Sequence, residues 1–149
     1  SLYWGAAGWG LANVVMASRT GDADCLEEAI RVATQLEADA QASDAGVSWR
    51  HQSSGVVQVG LGHGQAGIAL FLTYLAAHTG QQRWLDLAGR ALAFEWNERF
   101  DDRGKLLWYP QTNASPGAPK SPHIRFGTSG IGAAVLRYAV VADDSTWIE

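Results

Sequence analysis

The sequence predicts an all-α fold, a partial α/α toroid of inner and outer helix pairs with short β-hairpin or loop segments between the pairs. Two observations predict it. A Gly-x-x-Gly motif occurs at Gly5–Gly8, Gly64–Gly67 and Gly127–Gly130, and the copies start 59 and 63 residues apart. After each of the first two motifs, an almost uncharged helical segment precedes an amphipathic one. Such a repeat places the uncharged helix inside and the amphipathic helix outside.

The three copies also agree downstream of the motif. Thirteen residues after the second glycine of each motif stand Gly21, Gly80 and Asp143, which are residue types that tolerate turns and helix ends. Eighteen residues after the same glycine stand three aliphatic residues, Leu26, Leu85 and Ile148. We therefore expect each inner helix to end at the first of these positions and each outer helix to begin soon after it.

In the first unit, Leu11 and Val14 or Val15 mark the buried face of the inner helix. Asp24 and Glu27 have capping-box spacing and predict the start of the outer helix. Its apolar face is expected to contain Leu26, Ala29, Ile30, Ala33 and Leu36, and its solvated face Glu28, Arg31, Gln35 and Asp39.

In the second unit, apolar residues at three- and four-residue spacing predict an inner helix that ends at Gly80. These residues are Ile68, Phe71, Leu72 and Leu75. An outer helix is predicted from about Gln82 to the Trp96 region, with Leu85, Ala88, Leu92 and Phe94 or Glu95 along its apolar stripe.

The third unit contains an inner helix and only the start of an outer one. Between units lie two polar stretches rich in turn residues and β-formers, Trp49–Gly62 and Gly104–Ile124, and Gly104–Tyr109 could form a short strand or hairpin. We expect residues 1–149 to be one segment, about two helix pairs and the start of a third, and a fragment of a larger domain.

Composition excludes several function classes. The net charge of −4 provides no basic surface for a nucleic-acid backbone or an anionic membrane. The longest apolar run, Ala66–Ala77, is much shorter than the ~20 residues of a membrane-spanning helix. Cys25 is the single cysteine, so the chain has no internal disulfide and no multi-cysteine zinc motif, which fits a cytoplasmic location.

The string Gly60-Leu-Gly-His63-Gly64-Gln-Ala-Gly67 resembles the histidine-glycine motif of lanthionine synthetase C-like cyclases. The repeated Gly-x-x-Gly at inner-helix starts is also similar to that family, whose domain is a double ring of seven helix pairs. The resemblance implies a cyclase that adds cysteine thiols to dehydrated Ser or Thr of a precursor peptide and so forms thioether rings. It also implies a cytoplasmic enzyme with a precursor-peptide substrate.

The sequence differs from many members of the family in its zinc ligands. Those members hold the metal with two cysteines and a histidine. At the position of one of those cysteines this chain has Arg125. The chain therefore resembles most closely the zinc-free cyclase domains of class III lanthipeptide synthetases, which are fused behind a kinase-like domain. We accordingly expect no metal and no cofactor. Because an open arc of helix pairs leaves apolar inner-helix faces without neighbours, we also expect the isolated segment to associate with itself.

The resemblance makes His63 and Arg125 the candidate catalytic residues. His63 can accept and return a proton near neutral pH, and Arg125 can stabilise an enolate or grip a carboxylate. The alternatives are that His63 caps its helix or only packs there, and that Arg125 forms a surface salt bridge. Gly64, His123 and Phe126 are the candidate substrate-binding residues.

Other chemistry-bearing residues receive structural interpretations. His51 and His123 could join His63 around a metal, but no short-range ligand spacing supports this. His78 lies near the end of an inner helix, where a cation suits the helix dipole. Cys25 aligns with Trp84 and Trp147 and is interpreted as an inert buried thiol. The alternative function for the whole segment is a non-catalytic α/α-toroid module that binds a peptide or protein.

Overall fold

The computed structural model describes residues 1–51, 54–115, 117–118 and 122–148. In chain order the helices are α1 (Ala6–Thr20), α2 (Ala23–Asp39), α3 (Gln65–Thr79), α4 (Gln82–Asn97) and α5 (Thr128–Ala142), followed by a short 3₁₀ turn at Ser145–Trp147. Two small antiparallel hairpins separate the pairs: β1 (Gln41–Ser43) with β2 (Gly46–Ser48), and β3 (Phe100–Asp101) with β4 (Leu106–Leu107).

The helices form an arc with two layers. The inner helices α1, α3 and α5 contact one another in sequence, while α2 packs on α1 and α4 packs on α3. The centre of the core is α3, whose Phe71, Leu72 and Leu75 are fully buried, and Trp84 of α4 is equally buried against it. This helix-rich architecture confirms the predicted partial all-α toroid with alternating inner and outer helices.

The glycine repeat has a shared structural cause. At each motif the first glycine (Gly5, Gly64 or Gly127) is the extended residue that precedes the inner helix. The second glycine lies against the loop that leads into the helix. A Cβ atom at Gly8, Gly67 or Gly130 would stand 1.9, 2.0 or 1.9 Å from the carbonyl oxygen of Leu2, Leu61 or Ile124, respectively. Only glycine allows each loop to fold this closely over its helix.

The predicted helix ends are confirmed. Gly21, Gly80 and Asp143 follow α1, α3 and α5 with φ of 72°, 68° and 53°, and the amide of each donates to a carbonyl of the last helical turn. The predicted capping box of α2 is wrong by two residues. Asp22 is the cap, because its carboxylate accepts from the amides of Asp24 and Cys25.

The hairpin near Gly104 is confirmed as β3 and β4, and a second hairpin, β1 and β2, lies before the polar stretch Trp49–Gly62. In the described part of Trp49–Gly62 only isolated bridges occur, from Arg50 to Val57 and from Gln58 to Gln111. The strands β1 and β2 are held against α4. Val47 of β2 is buried, and Gly46 approaches the backbone of α4 more closely than a side chain would permit. Among the described residues, no helix combines the length and the apolarity that crossing a bilayer requires.

Candidate functional site

The loops that precede α1, α3 and α5 meet at one place, and backbone hydrogen bonds hold them side by side. The amides of Leu2 and Tyr3 donate to the carbonyl of Gly62 at 3.1 and 3.0 Å, and the amide of Gly62 donates to the carbonyl of Arg125 at 2.8 Å. The middle loop is therefore fixed to both of its neighbours. Tyr3, His63, Arg125 and Phe126 come together at this junction, which we call the loop junction.

The two candidate catalytic side chains are in direct contact. Arg125 Nε lies 2.9 Å from His63 Nε2, and Arg125 Nη2 lies 2.6 Å from the same nitrogen. A guanidinium has donors and no acceptor, so Nε2 of His63 must be the unprotonated acceptor. The imidazole is therefore neutral and has its proton on Nδ1.

Aromatic rings surround the imidazole. Tyr3 meets it edge-on with ring centroids 5.7 Å apart, and Phe126 stacks on it at 5.4 Å with planes inclined by 30°. The guanidinium carbon of Arg125 also lies 4.7 Å from the centre of the Phe126 ring. Phe126 thus orients both members of the His63–Arg125 pair.

Electrostatics support the neutral imidazole. Burial, and secondly the charge of Arg125, lower the pKa of His63 below its ordinary value. A neutral imidazole is available as a base once its Nε2 is free.

Two of the alternatives for these residues, a helix cap at His63 and a salt bridge at Arg125, differ from the structure, whereas the packing of His63 against Tyr3 and Phe126 is observed and its catalytic role stays a prediction. The residue that caps α3 is Gly64, and no side chain makes a cap hydrogen bond there. His63 is therefore not a helix cap. Within the described residues, the one ion pair joins Arg31 to Glu28, so Arg125 forms no surface salt bridge there.

Two candidate substrate-binding residues lie at the edge of the loop junction. Gly64 is buried and its amide donates to the carbonyl of Gly60 at 3.0 Å. His123 is exposed in the turn before α5, and its carbonyl accepts from the amide of Gly127 at 2.8 Å. Their contact with a substrate stays a prediction.

The remaining histidines and the cysteine lie elsewhere. His51 forms a 3.3 Å contact with the hydroxyl of Ser54, and His78 is exposed in the last turn of α3. Cys25 is half-buried rather than buried as predicted. Trp84, which holds the aligned position in the second unit, is fully buried. Partial burial and the nearby Asp22 raise the pKa of the Cys25 thiol, so the thiolate is disfavoured.

Two residues at or next to the loop junction, Tyr3 and Glu95, were not among the site residues predicted from the sequence. Tyr3 stands two residues before Gly5, in the same register as Gly62 and Arg125 before their motifs, so the repeat itself contained the signal. Glu95 is completely buried in α4, and its Oε1 accepts from the amide of Gly60 at the base of the middle loop. The sequence placed Glu95 on the apolar stripe of α4, but this pattern alone does not distinguish a buried carboxyl from one at an exposed edge.

No group of three or more His, Cys, Asp or Glu side chains in the described ranges is placed to hold a metal. Arg125 occupies the place where the resemblance would put a cysteine ligand, and a permanently charged donor group cannot ligate a cation.

The class of protein is a partial α/α toroid, because inner and outer helices alternate and a glycine motif stands at the start of each inner helix. A comparison with family models supports this assignment. The model described as lanthionine synthetase C-like protein matches residues 2–148, and the chain belongs to this family. A search of curated proteins found no match.

Proposed function

We propose that the protein containing residues 1–149 forms thioether rings by adding cysteine thiols to dehydrated Ser or Thr of a precursor peptide. Membership of the lanthionine synthetase C-like family supports the reaction class. The observation that carries the proposal is the contact of Arg125 with Nε2 of His63, because it pairs a neutral base with a fixed cation.

The proposed reaction uses both groups in turn. An anionic oxygen on the substrate attracts the guanidinium of Arg125, and this movement frees Nε2 of His63. The imidazole takes the proton of the cysteine thiol, and the thiolate sulfur forms a bond to the β-carbon of the dehydrated residue. The electron pair of the carbon–carbon double bond moves to the enolate oxygen, which Arg125 stabilises. The imidazolium then returns the proton to the α-carbon.

We further propose that this cyclase works without zinc, as the resemblance to class III synthetases implies. The support is Arg125 at the ligand position and the half-exposed Cys25 on an outer helix. Elemental analysis of metal-free preparations is expected to find less than stoichiometric zinc. About one zinc per chain, lost on substitution of His63, would contradict this part of the proposal.

The finer assignments are supported by the resemblance and stay predictions. They are a precursor-peptide substrate, a fused kinase-like domain, a cytoplasmic location, and the place of residues 1–149 within a larger cyclase domain.

The test is the variant His63→Asn, with His78→Asn as its matched control. Both replace a histidine next to or in α3, but His78 is exposed at the far end of that helix. General acid–base groups contribute about 10²- to 10⁴-fold, so ring closure by His63→Asn should slow within that range after subtraction of the uncatalysed rate. Mass spectrometry after thiol alkylation separates linear from cyclised peptide.

A specific observation also favours the alternative, a peptide-binding module. Trp4, next to Tyr3 of the loop junction, and Trp9, near the start of α1, are exposed, and exposed aromatic side chains are typical of recognition surfaces. A module would bind dehydrated peptide with equal affinity in wild type and His63→Asn and would show no ring closure above the spontaneous rate in either. That result would overturn the cyclase proposal.

A further inference from the structure

Glu95 is a buried carboxyl group with an incomplete set of partners. Its side chain is 0% exposed, and its Oε1 accepts from the amide of Gly60. Among the described residues, its Oε2 has no hydrogen-bond partner. Burial of such a group costs free energy, and an apolar residue at this position on the buried face of α4 would avoid that cost.

Gly60, the partner of Glu95, is packed from two sides. It has φ of 103°, a conformation that favours glycine, and a Cβ there would stand 2.5 Å from Cα of Phe126 and 2.7 Å from the carbonyl oxygen of Arg125. Glu95 contacts Gly60 from the α4 side, and the loop with Arg125 and Phe126 contacts it from the other. Displacement of Gly60 would therefore move both loops.

The middle loop has little freedom between Gly60 and His63. The carbonyl of Gly60 accepts from the amide of Gly64, and Gly62 is bonded to the loops on both sides. The amides of Gln65 and Ala66, at the start of α3, are near enough to the Glu95 carboxyl to oppose the rise in its pKa that burial causes. Glu95 thus bonds to Gly60 at one end of the segment that contains His63 and lies near the other end of that segment.

We propose that Glu95 is a positioning residue, which fixes the loop Gly60–Gly64 so that His63 meets Arg125. This inference rests on the proposed function only for its kinetic consequence, since the placement of His63 can be measured without substrate. Glu95 does not touch the reacting atoms; it acts through Gly60.

The experiment compares four variants of the chain. Glu95→Met removes the acceptor and keeps a long unbranched side chain, whereas Glu95→Gln keeps an acceptor for the Gly60 amide. Glu95→Asp withdraws the carboxyl by one methylene, and it serves as the second test if Glu95→Met does not fold. Glu98→Gln is the control, because it removes a carboxyl at the end of the same helix and leaves the loop untouched.

The first readout is the NMR resonances of the His63 imidazole, assigned with His63→Asn. In Glu95→Met and Glu95→Asp we expect these resonances to move and the pKa of His63 to rise toward its ordinary value. In Glu95→Gln and Glu98→Gln they should keep the wild-type positions. Unchanged His63 resonances in folded Glu95→Met or Glu95→Asp, or an equal change in Glu95→Gln, would overturn the proposal.

The second readout is ring closure. Misplacement of a reacting group by about 1 Å costs up to about 100-fold, so kcat in Glu95→Met should fall by about tenfold or more with KM little changed. Glu95→Gln should restore most of kcat. A loss of kcat shared equally by Glu95→Gln would contradict positioning. If the wild type forms no rings, the proposed function fails, and the NMR readout alone decides the role of Glu95.

Discussion

Nε2 of His63 receives hydrogen-bond donors from both Nε and Nη2 of Arg125, at 2.9 and 2.6 Å, although it has one lone pair. The guanidinium of Arg125 therefore covers the imidazole nitrogen that would serve as a base in the proposed reaction. An incoming anion that draws the guanidinium away would uncover the base and neutralise Arg125 in the same movement. In the proposed reaction, the contact would link substrate recognition to the onset of proton transfer.

Removal of the guanidinium should raise the pKa of His63. Arg125 is the second cause of the lowered pKa after burial, so Arg125→Gln should shift the pKa upward without restoring the ordinary value fully. NMR titration of the His63 ring measures this shift. Arg137→Gln, at an exposed position on α5, is the control and should leave the titration unchanged. A pKa that does not rise in Arg125→Gln would show that the two side chains are apart in solution.

Glu95 should make the folded state less stable as the pH rises. Burial raises its pKa to about 8 in the folded chain from an ordinary value of 4.5. Between these values the folded state binds a proton that the unfolded state has released. The stabilising contribution of this proton is complete below the ordinary pKa and is lost as the pH rises through about 8.

Urea unfolding of Glu95→Gln tests this pH dependence, because an amide stays neutral. From mildly acidic to mildly alkaline pH, we expect the unfolding free energy of Glu95→Gln to increase relative to wild type by an amount on the order of a few kcal/mol. Glu37→Gln, which removes an exposed carboxylate of α2, should follow the wild-type curve. Parallel curves for Glu95→Gln and wild type would mean that Glu95 is ionised in the fold.

Much of the fold was predictable because it repeats. The three glycine motifs and the turn residues thirteen positions later fixed the starts and ends of α1, α3 and α5. The cap of α2 was not predictable from spacing alone, since Asp22 and Asp24 are both suitable caps and the tight turn after Gly21 favours the earlier one. The early hairpin depends on packing of Val47 against α4, which no local pattern reveals.

The candidate site was predictable in part. The family motif indicated His63 and Arg125, but their mutual contact joins residues 62 positions apart and depends on how adjacent loops align. Tyr3 reaches the site through the same alignment. The role of Glu95 could not be read from its pattern, because an acidic residue on an apolar stripe is equally typical of an exposed edge.

The polypeptide of residues 1–149 should associate with itself. Apolar side chains are exposed on both terminal inner helices, with Val15 and Met16 on α1 and Leu136 and Val140 on α5. Burial of these faces between copies is favourable. Sedimentation should show mass rising with concentration, and Val140→Lys should weaken the association while Gln35→Lys, on the polar face of α2, should not. A monomer at all concentrations would contradict this expectation.

Alanine substitution should change the stability of the fold in different directions at two glycines of α5, Gly130 and Gly132. A Cβ at Gly130 would lie 1.9 Å from the carbonyl oxygen of Ile124, whereas a Cβ at Gly132 would meet nothing within 4 Å. Alanine at position 132 lowers the entropy of the unfolded chain and should be neutral or stabilise by up to about 1 kcal/mol. Gly130→Ala forces the loop away and should destabilise by about 1–3 kcal/mol in urea unfolding.

The same pair tests whether the glycine motif supports the site as well as the fold. Ile124 precedes Arg125, so the loop displaced by Gly130→Ala carries the guanidinium away from Nε2 of His63. The pKa of His63 should then rise in Gly130→Ala, as we also expect for Arg125→Gln, and should stay at the wild-type value in Gly132→Ala. If Gly130→Ala lowers stability and leaves the His63 titration unchanged, the close approach at the motif serves helix packing alone and the loop junction is held by its own hydrogen bonds.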